Sequence, residues 1–268
     1  MDTVATLLAR HHAPTVMQRS GLSPDEWQTR LLTAQPHRAL VVCSRQAGKS
    51  TSCAAMVLHR AFAAPGREIV AVSPTQRQST LLIDKVRRFA DAMELELERN
   101  AATFLKLANG SAIYALPGGA DTVRGYSPNL LIIDEAAYTT EALYTACLPM
   151  LAATGGDLIA ISTPAGRQGW FWAEWAGHGA GGWQRVEVPY TEIGRIKPEF
   201  IAQQKASMAA ERFAAEYECA FNASTFGLFN AADIAAAGPS AVAADGAMPD
   251  PWAIMQRNRA PFTEQAHA

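Results

Sequence analysis

Three short and nearly unbroken apolar runs constrain the fold more than any other feature of the chain: Ala39-Leu40-Val41-Val42-Cys43, Leu130-Leu131-Ile132-Ile133 and Leu158-Ile159-Ala160-Ile161. A strand with one face in water alternates apolar and polar residues. A run without alternation belongs to a strand covered on both faces, as in the centre of a parallel sheet sandwiched by helices. Strand-like and helix-like stretches alternate from Ala39 to Val188, each run ends in polar residues, and no internal repeat interrupts the order. The fold class is therefore α/β, with a mostly parallel sheet flanked by helices.

Charge and cysteine usage narrow the function. The 268 residues carry 23 basic and 25 acidic side chains, a formal net charge of −2. That balance excludes coating of nucleic acid by bulk electrostatics and leaves only a local basic patch. Cys43, Cys53, Cys147 and Cys219 form no C-x-x-C pair, so neither zinc nor thioredoxin-like chemistry is indicated, and a reducing cytosol suits them. No apolar run approaches the roughly 20 residues that span a bilayer, and no signal peptide opens the chain.

Around this centre, Ser23-Pro24-Asp25-Glu26 reads as a helix start with Ser23 as N-cap and Pro24 in the first helical position. Glu68 to Val72 reads as a strand, and the helix after Pro74 places Leu82, Val86, Phe89 and Met93 on one face, leaving Arg87 and Arg88 outward. Thr103–Leu107 and Ser111–Leu116 alternate about Asn109-Gly110, the signature of a tight hairpin, expected as a protruding ribbon. Trp170, Phe171, Trp172, Trp175 and Trp183 surround a Gly-rich segment, as core or lid residues or as stacking faces. Residues 230–268, rich in Ala, Gly and Pro, read as a disordered tail after a domain at 1–229.

The chemistry begins where the first apolar run ends. Gly48-Lys49-Ser50 follows a buried strand and opens a helix, so backbone N–H groups and the positive end of the helix dipole meet where phosphates would sit. Lys49 would reach the β/γ-phosphates, Ser50 would hold Mg²⁺, and Gly48 lets the backbone approach. The full phosphate-loop pattern asks for Gly where this chain has Cys43, and Gly-Lys-Ser also occurs in ordinary surface turns. Context comes from Asp134-Glu135, two carboxylates closing the Leu130 run at the carboxyl edge of the sheet, where open parallel sheets bind ligands. Asp134 would hold Mg²⁺ and Glu135 would polarise the attacking water; the plainer alternative is a pair of solvated acids. Ser162-Thr163-Pro164 closes the next run and puts hydroxyls beside the same place.

Together these residues resemble the ATPase of the large terminase subunit of tailed bacteriophages, whose phosphate loop carries an Arg ahead of Gly-Lys-Ser/Thr. Arg45-Gln46-Ala47-Gly48-Lys49-Ser50-Thr51 matches that variant. The resemblance spans Thr15 to Phe229 and implies a RecA-like P-loop NTPase that binds ATP and Mg²⁺. It implies roles for Gln28 in reading adenine, Arg45 in binding phosphate, Thr163 in coupling, and Arg124 as an arginine inserted into a neighbouring subunit's site. Implied partners are double-stranded DNA, further copies of the chain in a ring, a portal protein and a small terminase subunit. The implied location is the bacterial host cytoplasm. Arg77, Lys85, Arg87, Arg88 and Lys106 are candidates for contact with the DNA backbone. Complete large subunits continue into a two-metal nuclease. Here Asp233, Asp245, Asp250 and Glu264 stand in the tail without strands to position them, so a separate nuclease is expected. Two alternatives stand beside this reading: a monomeric helicase-like ATPase, and a non-hydrolytic nucleotide-binding scaffold.

Overall fold

The computed structural model describes residues 11–177 and 182–222. The sequence-based tail at 230–268, with its four acids, lies outside the described residues.

Eight strands form one sheet in the order β3-β4-β5-β2-β6-β7-β1-β8. The strands are β1 (Arg38–Cys43), β2 (Glu68–Ser73), β3 (Leu97–Ala101), β4 (Phe104–Leu107), β5 (Ala112–Pro117), β6 (Leu130–Asp134), β7 (Asp157–Ser162) and β8 (Gln184–Val188). Every neighbouring pair from β5 through to β8 is parallel, while β3·β4 and β4·β5 are antiparallel. The helices are α1 (Pro14–Arg19), α2 (Glu26–Ala34), α3 (Lys49–Ala63), α4 (Gln76–Ala92), α5 (Glu141–Cys147), α6 (Gly169–Trp175), α7 (Pro198–Ser207) and α8 (Ala210–Tyr217).

The apolar runs are unbroken because each central strand feeds two cores. Leu130 and Ile132 of β6 join Ile159 and Ile161 of β7 in a core closed by α1 to α4. Leu131, Ile133, Leu158 and Ala160 face the other way, into a core completed by α5 and α6. Trp170, Phe171 and Trp183 are buried in this second core, and Trp172 and Trp175 pack on its edge. Trp170 stacks on Tyr144 with ring centroids 4.1 Å apart and donates to Thr139 Oγ1 at 3.1 Å. These tryptophans form a wall of the core, and the indole N–H groups of the buried Trp170 and Trp183 are both satisfied.

Two local expectations are revised. The helix expected from Pro24 starts at Glu26, and Asp25, not Ser23, is its N-cap. Asp25 wins because its partner Gln28 completes a capping box, the Gln28 Oε1 accepting from the Asp25 N–H at 2.9 Å. The Asn109-Gly110 hairpin forms, but it is no free ribbon. Its second strand, β5, pairs in parallel with β2 from Glu68↔Ala112 to Ser73↔Pro117, so the hairpin extends the sheet and β3 takes the edge.

Candidate functional site

The carboxyl edges of β6, β7 and β1 lie side by side, with Val42 opposite Ser162 and Asp134 opposite Ile161. This order brings a loop from one strand and acids from another to one place, although they are far apart in the chain. After β1 the loop is pinned from outside: Ser44 N–H donates to the Val188 carbonyl at 2.9 Å and Arg45 N–H to the Glu216 carbonyl at 2.7 Å. Gln46 and Gly48 then take positive φ, 60° and 89°, which turns the chain into α3 at Lys49. A Cβ on Gly48 would stand 2.8 Å from Gln28 Nε2, so both backbone angle and space require glycine. The amino end of the 15-residue α3 thereby opens onto the strand edges, a favourable place for an anion.

Asp134 is the last residue of β6, and Glu135 follows in the left-handed region at φ 52°. That turn sends the two carboxylates different ways. Asp134 Oδ2 accepts from the Ser50 hydroxyl at 3.4 Å and its Oδ1 from the Glu135 N–H at 3.0 Å. Glu135 Oε1 lies 3.5 Å from Lys49 Nζ, and its Oε2 accepts from the Ser162 hydroxyl at 3.5 Å. Burial first, and then the neighbouring Glu135 charge, push the Asp134 carboxyl up against the opposing pull of Lys49, to about 6 in all. A buried carboxylate facing a hydroxyl and short of positive charge is a hard-oxygen donor set that fits Mg²⁺, an ion that commonly binds through one or two protein groups plus substrate phosphates. Among the described residues no group of three or more His, Cys, Asp or Glu side chains is placed to hold a metal.

Lys49 and Glu135 border a cavity of about 540 Å³. Arg45, Gln46, Lys49, Glu135 and Thr163, all singled out in the sequence, line it. So do Pro74, Thr75, Gln78 and Tyr138, which sequence reasoning missed. Thr75 and Gln78 form the capping box of α4, and their S/T-x-x-E/Q spacing was a legible sign that this helix starts at the strand edge. The Arg45 guanidinium pairs with Glu216 of α8, which raises its pKa, while the side chain keeps a border on the cavity. Ala47 is buried inside the loop, and the Thr51 N–H donates to the Gly48 carbonyl at 3.0 Å, continuing the helix.

Gln28 and Arg124 stand apart from this cavity. Gln28 is buried beside the loop, where Nε2 donates to the Ser52 hydroxyl at 3.0 Å. Arg124 is exposed, pairs with Asp121 at 3.5 Å, and lines a second cavity of about 740 Å³ with Tyr126, Glu141 and Met150. Of the basic side chains considered for DNA, Lys106 is paired with Glu98 and Arg87 is held by Asp84 and Asn100, while Arg77 and Arg88 are exposed. Arg195 was not foreseen at all. It donates to the Gln46 carbonyl at 2.6 Å and pairs with Asp25.

Comparison with known proteins agrees with this geometry. The family model described as "Terminase large subunit, T4likevirus-type, N-terminal" matches residues 40–236. The large terminase ATPase domain of Thermus phage P74-26 superposes with a TM-score of 0.67 at 19% identity, covering 76% of this chain and 96% of that one. The large terminase of a thermophilic bacteriophage, solved in complex with ADP, gives a TM-score of 0.65 at 13% identity, over 74% of this chain and 54% of that one. The large terminase of bacteriophage HK97 gives 0.61 at 17% identity, over 75% and 51%. The chain thus spans nearly all of the first, an ATPase domain, and about half the length of the other two. At these identities the likeness is one of fold. No curated protein matches the sequence.

Proposed function

The chain belongs to the terminase large subunit family of the T4-like type, and from that premise we propose that it is an ATP-hydrolysing motor that drives double-stranded DNA into viral procapsids. The observation that carries this reading is convergence: Lys49 meets Glu135 at 3.5 Å on the border of one cavity, and their chain neighbours Ser50 and Asp134 meet at 3.4 Å. Those four side chains are what γ-phosphoryl transfer to water requires.

Each group has a role that follows from its position. Lys49 and Arg45 take the phosphate charge as the triphosphate enters at the amino end of α3. Glu135, relieved of Lys49 by the phosphates, has Oε1 free to accept a proton from the attacking water, while the Ser162 hydroxyl holds its other oxygen and fixes the carboxylate plane. Ser50 and Asp134 are the residues that would hold Mg²⁺, which supplies charge neutralisation to the phosphates. Thr163, next to Ser162, lines the cavity and would pass a change at the γ-phosphate to the strand edge. Arg124, exposed on a cavity separate from that of Lys49, is the residue that would complete the site of a neighbouring copy in a ring, the role the family resemblance implies for it. Portal protein and small terminase subunit are the partners this activity calls for, in the host cytoplasm. No helix among the described residues is long and apolar enough to cross a membrane.

Phosphate release with Mg²⁺, with and without linear duplex DNA, tests the assignment. Glu135→Gln should bind ATP with near-normal affinity and lose roughly 10²- to 10³-fold in turnover. An absence of phosphate release from concentrated wild-type protein in the presence of DNA would instead favour a nucleotide-binding scaffold.

A further inference from the structure

A cavity of about 270 Å³ lies at the amino ends of β2, β6, β7 and β1, four neighbours in the sheet, on the edge opposite to that of Lys49 and Glu135. Residues that lead into these strands line it: Arg67 before β2, Asn129 before β6 and His37 before β1. Asp157, the first residue of β7, and Arg60, from the last turn of α3, complete the ring of polar groups. The wall between them is fixed. Asn129 Oδ1 accepts from the Glu68 N–H at 3.0 Å, and a Cβ on Gly156 would stand 2.3 Å from the Pro128 carbonyl.

These walls carry more positive than negative charge. Among the described lining residues Asp157 is the one acid, and both of its oxygens are taken: Oδ1 lies 2.6 Å from His37 Nδ1 and Oδ2 3.0 Å from Arg60 Nη2. The same Nη2 donates to the Gln35 carbonyl at 3.2 Å, while Arg60 Nε is buried without a partner. Arg67 is exposed, and no carboxylate or other acceptor among the described residues holds its guanidinium. Burial pulls the Arg60 pKa down, Asp157 opposes it, and the like charge of Arg67 pulls it down again. The carboxyl end of α3 does not consume this charge, because its Ala61, Phe62 and Ala64 carbonyls accept from Asn109 Nδ2 and the Ala64 carbonyl also from the Ser111 hydroxyl. Two guanidiniums facing one cavity, with the only nearby carboxylate among the described residues already engaged, leave a deficit of negative charge that an oxyanion between them would remove.

We propose that this cavity is a second anion site of the chain, taking a phosphate-type oxyanion between the guanidiniums of Arg60 and Arg67. Its volume lies just below the usual range of small-molecule pockets, which suits inorganic phosphate and its waters better than a nucleotide. An arginine fork meets two oxygens of such an anion at once, and two forks favour a dianion over a monoanion. The inference stands apart from the nucleotide reading, since the described residues lining this cavity and that of Lys49 have no member in common.

Thermal unfolding of the full chain in phosphate, sulfate or acetate, at one ionic strength and against chloride, tests the site. The comparison is made in Lys49→Ala, because the phosphate loop also attracts anions. Phosphate and sulfate should raise the Tm of Lys49→Ala along a saturating curve, and acetate should not. Arg67→Gln, added to that background, leaves the Arg60–Asp157 pair in place and should weaken phosphate by roughly tenfold, while Arg67→Lys should recover part of the loss. Phosphate should also protect Arg67, and not Arg45, from modification by phenylglyoxal, read by mass spectrometry of the Lys49→Ala protein. A saturating response that disappears in Lys49→Ala, or that survives Arg67→Gln unchanged, would put the anion elsewhere and overturn the proposal. So would a rise in Tm that is linear in salt and equal in every variant, since that is the general stabilisation these anions give any fold.

Discussion

Gly48 holds φ at 89° with Gln28 Nε2 where a Cβ would go. Gly48→Ala therefore adds left-handed strain to a contact that can be relieved only by moving Gln28 off Ser52. A loss of about 1–3 kcal/mol in urea denaturation is expected, with weakened phosphate binding, because the same amide positions the loop. Asp134 makes a prediction of opposite sign. Its folded carboxyl sits at about 6 against an ordinary 3.8, so between those values the folded protein keeps a proton that the unfolded chain has released. The stability of the metal-free protein should fall as pH rises through that window and level off above it, with a total swing of roughly 3 kcal/mol. Asp134→Asn removes the buried charge. In EDTA its Tm should exceed that of the wild type at pH 8 and match it near pH 4, and a variant less stable at both would show that the charge is well compensated in the fold.

At the level of elements, the hairpin turn is riveted to the far end of α3. Asn109 Nδ2 donates to the Ala61 carbonyl at 2.9 Å, with the Phe62 and Ala64 carbonyls within 3.4 Å, and its Oδ1 accepts from the Ser111 N–H at 3.0 Å. Asn109→Ala leaves helix-end carbonyls without their donor and should cost about 1–2 kcal/mol, seen as a lower urea midpoint at constant slope, while turnover stays unchanged because the nucleotide cavity is at the other end of α3. The same region shows what local sequence could reveal. Strands β1, β2, β6 and β7 were legible because burial on both faces writes an unbroken apolar run. β3 was not: Leu97-Glu98-Arg99-Asn100-Ala101 is an edge strand exposed along nearly its whole length, and only pairing with β4 defines it. Asp134 and Glu135 were legible because they close an apolar strand, and Lys49 and Ser50 because a short polar loop joins another such strand to their helix. Arg195 and Glu216 reach the loop across 149 and 171 residues of chain, and no local pattern marks an arginine or glutamate for that task.

For the whole molecule, the decisive feature is that one chain holds the two halves of the proposed chemistry in separate places. Lys49 and Glu135 border one cavity; Arg124, its side chain 72% exposed, borders another together with Glu141 and Met150. An arginine that acts in a neighbour's site gives turnover that rises with protein concentration, since an isolated chain lacks one component of the site. It also makes two different inactive variants complementary. Arg124→Ala retains an intact Lys49–Glu135 cavity and lacks the donated arginine, whereas Glu135→Gln donates its arginine and cannot activate water. Each alone should bind nucleotide and turn over at least 10²-fold slower than the wild type. Mixed in equal amounts, they form interfaces in which an intact Glu135 meets an intact Arg124, and turnover should recover to about a quarter of the wild-type value if each interface fires independently. No recovery on mixing, with subunit exchange verified by a labelled chain, would place Arg124 in a role within its own subunit and would remove the requirement for a ring. Recovery below f(1−f) of the wild-type value, f being the fraction of one variant in the mixture, would mean instead that interfaces fire in sequence, so that one inactive site stalls its neighbours.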